Sequence, residues 1–335
     1  MKTEEDNFMK AFKYYKMIKQ QPSIKNVLYV ENNISNQIRE LPLPSYEKND
    51  NRHSILGLKP LGKWRTYNFK NHPGLVLIRN PFTNLGQRYW IRKCLEEYPR
   101  SPNKKNIDIE MRLDDWWRAC HASKEIQSKQ MKKLRWTTLG YHHNWDTKLY
   151  NDDHRTPFPE DLAELSDVVA NYLGFTSFRA EAAIVNYYYM KSTLSAHTDH
   201  SEVNLEAPLL SFSFGQSAIF LIGGPTKTTA PSAVLLQSGD VMVMSKEARL
   251  CYHAVPKIIP CNNATWNEEL STVTECLPNM KYVCDSQKLQ ARLNLNIDNK
   301  EWSDFNNYIK ESRINVNVRQ VLNENQTSLS SALIT

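Results

Sequence analysis

The sequence predicts a mainly β protein with flanking helices, an α+β arrangement whose strands close into a sandwich or barrel. Two observations carry this. From about residue 181 onward short β-rich runs follow one another, at 181–189, 193–199, 208–222, 233–237, 241–245, 249–255 and 312–322. Many short strands at turn-bounded spacing read as a sandwich or barrel rather than a doubly wound parallel sheet. Ahead of them lies a punctuated helix over 160–173. Pro159 stands at its start, Leu162, Leu165, Val168, Val169 and Tyr172 form its apolar stripe, and Gly174 stops it.

Residues 1–75 read as an N-terminal helical and irregular extension. Phe8, Phe12 and Tyr15 recur at helical spacing and predict a helix over 5–20. Residues 31–56, rich in Asn, Ser and charge and punctuated by Pro42 and Pro44, read as irregular. A supporting helical region follows at 76–180. It opens on a β-like run over 74–79 and a helix over 85–98, then turns polar and helical over 101–135, ending in a basic segment at 129–135. The β-rich core spans 181–322. Within it Ser238, Gly239 and Asp240 make a hairpin-like turn, and 261–290, with little periodicity, reads as an insertion. Residues 323–335 are a tail.

With 335 residues the chain makes one large domain with appendages, or two domains. Its net charge of +6 permits an anionic partner without demanding one. No apolar run nears the ~18 residues of a membrane span. The acidic start predicts neither a secretory signal nor an Arg-rich transit peptide. The six cysteines (Cys94, Cys120, Cys251, Cys261, Cys276, Cys284) are sparse and form no C-x-x-C pair, which argues against disulfides and zinc knuckles. The glycosylation-like sequences at Asn33, Asn263 and Asn325 read as chance.

The chemistry starts at His197 and Asp199. Two residues apart on a strand, their side chains point the same way. A nitrogen and a carboxylate oxygen on one face are two ligands of a 2-His-1-carboxylate triad, which leaves positions open and suits non-haem Fe(II). Alone the pair is a weak signal, and His200 with Glu202 is a rival starting on the opposite face. The third ligand candidate is His253, far enough beyond Asp199 for the intervening strands to return the chain; its alternative is a core histidine. Cys251 beside it has no matching Cys/His pair for zinc.

The strongest signal is the strand 312–319. Arg313, Asn315, Asn317 and Arg319 share one face, while Ile314, Val316 and Val318 take the other. Two guanidinium forks with amides between them suit a dicarboxylate, because guanidinium pairs bidentately with carboxylate. A solvated edge strand is the plain alternative. Residues 292–298 mimic this alternation but carry Asp298 where the second Arg would stand, so they are set aside. Asn186 and Tyr188 share a face too, and complete a co-substrate pocket or pack in an aromatic core.

In this order, N-x-Y, H-x-D, a distal His and R-x-N-x-x-x-R resemble the AlkB family of Fe(II)- and 2-oxoglutarate-dependent nucleic-acid dioxygenases. Segments 134–145, 156–159, 178–181, 208–220 and 317–322 strengthen the likeness, which covers roughly residues 60–322. The resemblance implies a double-stranded β-helix (jelly roll) core. It implies that His197, Asp199 and His253 bind Fe(II), acting catalytically through it, and that Asn186, Tyr188, Arg313, Asn315 and Arg319 bind 2-oxoglutarate. Arg313 with Tyr188 would hold the distal carboxylate, and Asn186, Asn315 and Arg319 the one nearer the metal. With O2 as the other co-substrate, the implied reaction hydroxylates an N-methyl group and releases succinate, CO2 and formaldehyde.

By the same resemblance 76–180 holds the nucleotide-recognition segment, with Trp117, Trp136, Tyr141, His142 and His143 as substrate contacts. Aromatic and imidazole rings stack on an exposed base, and Lys132, Lys133 and Arg135 can reach phosphate. Aromatic core packing is the alternative for the tryptophans. The implied substrates are N1-methyladenosine or 5-methylcytidine in tRNA, or N6-methyladenine in DNA, met in single-stranded, loop or bulge regions. The implied setting is intracellular, nuclear or mitochondrial with the cytosol open, and the protein a monomer. A dioxygenase acting on methylated histone and an inactive jelly-roll binding module are the competing classes. The first predicts an acidic or aromatic cage, the second a missing ligand.

Overall fold

The computed structural model describes residues 5–17, 26–31, 37–42, 50–274 and 277–330. Asn33, Cys276 and the end of the tail lie outside them. In chain order the strands are β1 (Ile38–Leu41), β2 (Arg65–Phe69), β3 (His72–Arg79), β4 (Lys104–Lys105), β5 (Trp136–Gly140), β6 (Ala182–Tyr189), β7 (Leu194–His197), β8 (Leu209–Gly215), β9 (Ser217–Ile222), β10 (Ser232–Leu236), β11 (Val241–Met244), β12 (His253–Ile259) and β13 (Ser312–Arg319). They form a nine-stranded sheet, β1-β2-β3-β11-β8-β13-β6-β5-β4, and a four-stranded sheet, β10-β9-β12-β7. Every paired neighbour is antiparallel. Two antiparallel sheets sharing an apolar interior are the jelly-roll arrangement.

The helices are α1 (Asn7–Lys16), α2 (Asn84–Arg92), α3 (Trp116–Ala122), α4 (Lys124–Gln130), α5 (Glu160–Tyr172), α6 (Ser286–Asn294) and α7 (Asn299–Ile309). Three apolar layers result. Between the sheets, Leu75 and Leu77 of β3 and Met242 and Met244 of β11 meet Phe220 and Ile222 of β9 and Val255 of β12. The outer face of the large sheet (Val185, Phe212, Phe214, Val316) packs on α2, α3, α5, α6 and α7. The small sheet is covered by α1, whose Phe8, Phe12 and Tyr15 meet Ile219, Leu221, Ala233 and Ala254. Asp6 caps α1 by accepting from the Met9 amide. Burying such an aromatic trio stabilises by several kcal/mol, at about 1.5–3 kcal/mol per large apolar side chain.

Two glycines set chain paths. The run 208–222 is two strands in different sheets, because Gly215 adopts φ 81° and turns the chain from β8 into β9. A Cβ there would lie 2.5 Å from the Ser312 carbonyl oxygen. Gly86 lets α2 approach the 50s segment, where a Cβ would stand 1.9 Å from the Gly57 carbonyl oxygen.

Several sequence expectations need correction. The boundary at residue 75 falls inside β3, and β1 and β2 already belong to the large sheet, so the described part of the extension from residue 38 is integral to the core. Likewise β5 joins 76–180 to the large sheet. The turn at 238–240 is not a hairpin: it carries the chain from β10 in the small sheet to β11 in the large one. The strand placed at 249–255 begins at His253, because 246–250 forms a 3-10 turn. Residues 292–298 are the end of α6 and a 3-10 turn. The helix over 85–98 is α2 continued by a π turn at Lys93–Glu97. Cys94, Cys120, Cys251, Cys261 and Cys284 are free thiols, and no described helix is long and apolar enough to cross a membrane.

Candidate active site

His197 closes β7 and His253 opens β12. The two are register partners across that antiparallel pair, with ring centroids 4.3 Å apart. Asp199 lies two residues past the end of β7, and its Oδ2 is 3.5 Å from His253 Nε2. One ligand atom from each of the three side chains lies within 4.8 Å of the others, which suits a metal ion.

The protonation states fit as well. His197 Nδ1 is 2.9 Å from the Ser195 carbonyl oxygen and His253 Nδ1 is 3.1 Å from that of Cys251. A carbonyl only accepts, so both rings carry their proton on Nδ1 and keep the Nε2 lone pair free for a metal. Burial, then the neighbouring His253, pushes His197 down to about 4, so it is neutral at pH 7. Burial pushes the Asp199 carboxyl up, but the Arg319 charge holds it well below its ordinary range. Arg319 Nη2 donates to Asp199 Oδ1 at 2.8 Å.

A cavity between the sheets joins this cluster to the polar face of β13: His197, His253, Tyr188, Arg313, Asn315 and Asn317 all line it. Arg313 is 1% exposed, yet its hydrogen bonds among the described residues are to neutral acceptors, Ser213 Oγ at 2.7 Å and the Gln216 carbonyl oxygen at 3.3 Å. Burial pushes it down to about 10, so it is still a cation at pH 7. Its Nε and the Tyr188 hydroxyl are buried without a hydrogen-bond partner among the described residues. An uncompensated buried cation beside an orphaned hydroxyl is costly unless an anion joins them. The residues therefore fit a carboxylate ligand. Asn315 is aimed by its amide nitrogen, which donates to Ser211 Oγ (2.8 Å) and the Phe212 carbonyl (3.0 Å).

Not every expected co-substrate residue lines this cavity. Arg319 turns to Asp199 instead, leaving its Nη1 and Nε without a hydrogen bond among the described residues. Asn186 sits beside Asn315 in the β6–β13 register and opposite Trp136 on β5, outside the cavity wall. Sequence reasoning missed Ser211 and Ser213, although two serines alternating through an otherwise apolar strand were a readable signal. It also missed Arg249 and weighed Glu202 only within a rival ligand pair; the two are buried and paired at 2.9 Å. Glu202 thus belongs to the site's surroundings, while the rival His200 is exposed and its described hydrogen bonds stay within its own turn.

The expected substrate contacts divide. Trp117 is a correction: it is 8% exposed on α3, stacked on Phe305 at 4.7 Å and 8° between planes, and belongs to the helical core. Its ring faces are occupied by packing. Trp136, His143 and the 39% exposed Trp145 form a cluster, with Trp136 and Trp145 centroids 5.3 Å apart and His143 and Trp145 4.7 Å apart. His143 Nε2 meets Ser201 Oγ at 3.0 Å, beside the metal-ligand segment. His142 is buried, its Nδ1 2.8 Å from Thr138 Oγ1 and its Nε2 unpartnered. Burial pushes both histidines down to about 4. Tyr141 is 4% exposed and its hydroxyl donates to Asp152 Oδ1 at 2.9 Å. Of the basic residues, Lys133 pairs with Glu110 and Arg135 donates to Ser192.

The chain also resembles known proteins. Residues 74–319 match the 2OG-Fe(II) oxygenase superfamily. The chain is 42% identical to the nucleic acid dioxygenase ALKBH1 of Mus musculus, over 85% of this chain and 74% of that one. It is 34% identical to the tRNA demethylase abh1 of Schizosaccharomyces pombe, over 80% and 84% respectively. It is 30% identical to the DNA N(6)-methyladenine demethylase ALKBH1A of Arabidopsis thaliana, over 75% and 76%. A solved structure of OsALKBH1 aligns at 19% identity over 74% of this chain and 97% of its own, with a TM-score of 0.43.

Proposed function

The chain belongs to the 2OG-Fe(II) oxygenase superfamily as a 2-oxoglutarate-dependent oxidoreductase of the AlkB type, and from that premise we propose that it oxidises methylated bases in nucleic acid. His197, Asp199 and His253 hold Fe(II) in this reading, and Tyr188, Arg313 and Asn315 receive 2-oxoglutarate. The observation that supports it is the shared cavity, lined both by the two imidazoles and by a buried guanidinium with no carboxylate partner among the described residues. Iron, 2-oxoglutarate and O2, when bound, supply oxidation of an N-methyl group, with succinate, CO2 and formaldehyde as products.

The protein's own groups bind and orient. The Arg313 guanidinium and the Tyr188 hydroxyl take the carboxylate remote from the histidines. Asn315, held by Ser211, adds its amide to the cavity lining. The two Nδ1–H···O=C bonds stop the imidazoles from turning. Arg319 keeps Asp199 ionised and aimed. Trp136, His143 and Trp145 stack on the incoming base, with Lys132 and Arg135 towards the strand. A base inside a duplex cannot reach a cavity between two sheets, so the substrate is an extruded or single-stranded nucleotide, engaged by a monomer.

Succinate release, measured with methylated tRNA, methylated DNA, histone peptide and no substrate, tests this. Stimulation by a nucleic acid, with loss of the methyl mark by nucleoside mass spectrometry, is the expected result. Stimulation by the peptide alone overturns it.

A further inference from the structure

Asp199 has no sheet hydrogen bonds to hold it, because it lies beyond the last residue of β7. Its position is set by arginines instead. Arg319 Nη2 grips the carboxylate at 2.8 Å, and Arg249 Nη1 donates to the main-chain carbonyl at 2.5 Å. One buried anion stands between the two arginines. Glu202 Oε2 accepts from Arg249 Nη2 at 2.9 Å, and its Oε1 lies 3.2 Å from Arg319 Nε, an ion pair without a hydrogen bond. The Glu202 and Arg249 side chains are each 2% exposed and that of Arg319 4%. Charges balance within this group: two carboxylates, two guanidiniums.

The same carboxylate has a third partner. Tyr150 donates its hydroxyl to Glu202 Oε1 at 3.0 Å. The Tyr150 ring meets His143 edge-on at 5.4 Å and Tyr141 at 6.5 Å. A continuous chain of contacts therefore runs from the aromatic segment at 141–150 through Glu202 to the carboxylate of Asp199.

We propose that Glu202 is a positioning residue for Asp199, and that Tyr150 extends its hold to the 141–150 segment, so that substrate seated there firms the metal-binding carboxylate. Neutralising Glu202 leaves two guanidiniums with Asp199 as their one remaining carboxylate. Arg319 then closes on Asp199 and turns it away from His253. The inference rests on the reading of Asp199 as a metal ligand.

The test titrates Mn(II), a redox-quiet probe of the site, into the full chain with 2-oxoglutarate present. Folding of each variant is checked by circular dichroism and melting. Changes behind a metal ligand commonly weaken binding about 10- to 100-fold, and Glu202→Gln is expected in that range. Tyr150→Phe is expected to bind Mn(II) as the unaltered chain does, but to lose about fivefold or more of the acceleration of succinate release by nucleic-acid substrate. A folded Glu202→Gln chain with unchanged Mn(II) affinity overturns the positioning role. Full substrate acceleration in Tyr150→Phe overturns the link to the segment. Should Glu202→Gln not fold, Arg249→Lys, which keeps the charge but cannot span Glu202 and the Asp199 carbonyl, gives the same reading: weakened Mn(II) binding supports the role and unchanged binding overturns it. Asp199→Ala separates the two levels: if it binds Mn(II) normally, the metal-site reading fails, whereas loss there with none in Glu202→Gln removes the Glu202 proposal alone.

Discussion

His197 and His253 stand directly opposite one another across β7 and β12, their rings 4.3 Å apart. Cross-strand neighbours are the closest approach that two side chains on separate strands can have. Slipping the pairing by one residue would send one imidazole to the outer face. The site is thus tied to strand register. Its two histidines are far apart in the chain, and each keeps its lone pair directed by a local carbonyl.

Removing one imidazole should remove the metal. For His253→Ala the expected outcome is a loss of Fe(II) or Mn(II) affinity beyond the ~10–100-fold that indirect changes cause, with turnover abolished. Isothermal titration measures it, and near-normal affinity would move the metal elsewhere.

Arg313→Ala should chiefly raise the 2-oxoglutarate requirement. A buried charged hydrogen bond contributes ~1.5–3 kcal/mol, roughly a 10- to 150-fold rise in the half-saturating concentration. Metal affinity without 2-oxoglutarate should stay put, since Arg313 does not touch His197, Asp199 or His253. Dependence of succinate release on 2-oxoglutarate checks both.

Trp117 and His143 should separate fold from substrate. Trp117→Ala removes a ring stacked in the helical core and should cost about 3–5 kcal/mol of stability, seen as a drop in melting temperature. His143→Ala should melt nearly normally and lose affinity for an oligonucleotide, by fluorescence anisotropy. Reversed results would restore Trp117 as a substrate contact.

Acid should release the tail. The Asp152 carboxyl accepts from the Leu329 and Ser330 amides, the Ser330 hydroxyl and the Tyr141 hydroxyl. Burial pushes it up, and these donors together bring it down to about 2. An unfolded Asp titrates near ~3.9. Its contribution is therefore complete above that value and lost as pH falls towards 2, with no change between neutral and mildly basic pH. Hydrogen exchange at Leu329 and Ser330 should quicken over that acid range, and in Asp152→Asn already at pH 7. A tail indifferent to both would mean that Asp152 does not hold it.

Much of this protein was legible as sequence because its signals are local. Period-two alternation marked β13 and placed Arg313, Asn315 and Asn317 on one face, and a shared face for Asn186 and Tyr188 marked β6. The apolar stripe from Leu162 to Tyr172 marked α5, and the spacing of His197 and Asp199 placed both on one side. What tertiary structure alone decided was which strands meet. Sheet membership sent β8 and β9 to different layers at Gly215, drew β1 and β2 into the core, and made the 238–240 turn a crossing between sheets. It also turned Arg319 towards Asp199, and packed Trp117 against Phe305. Side-chain periodicity reports the faces of a segment, whereas partners are chosen by pairing and burial between segments far apart in the chain, and those energies appear only once the sheets have closed.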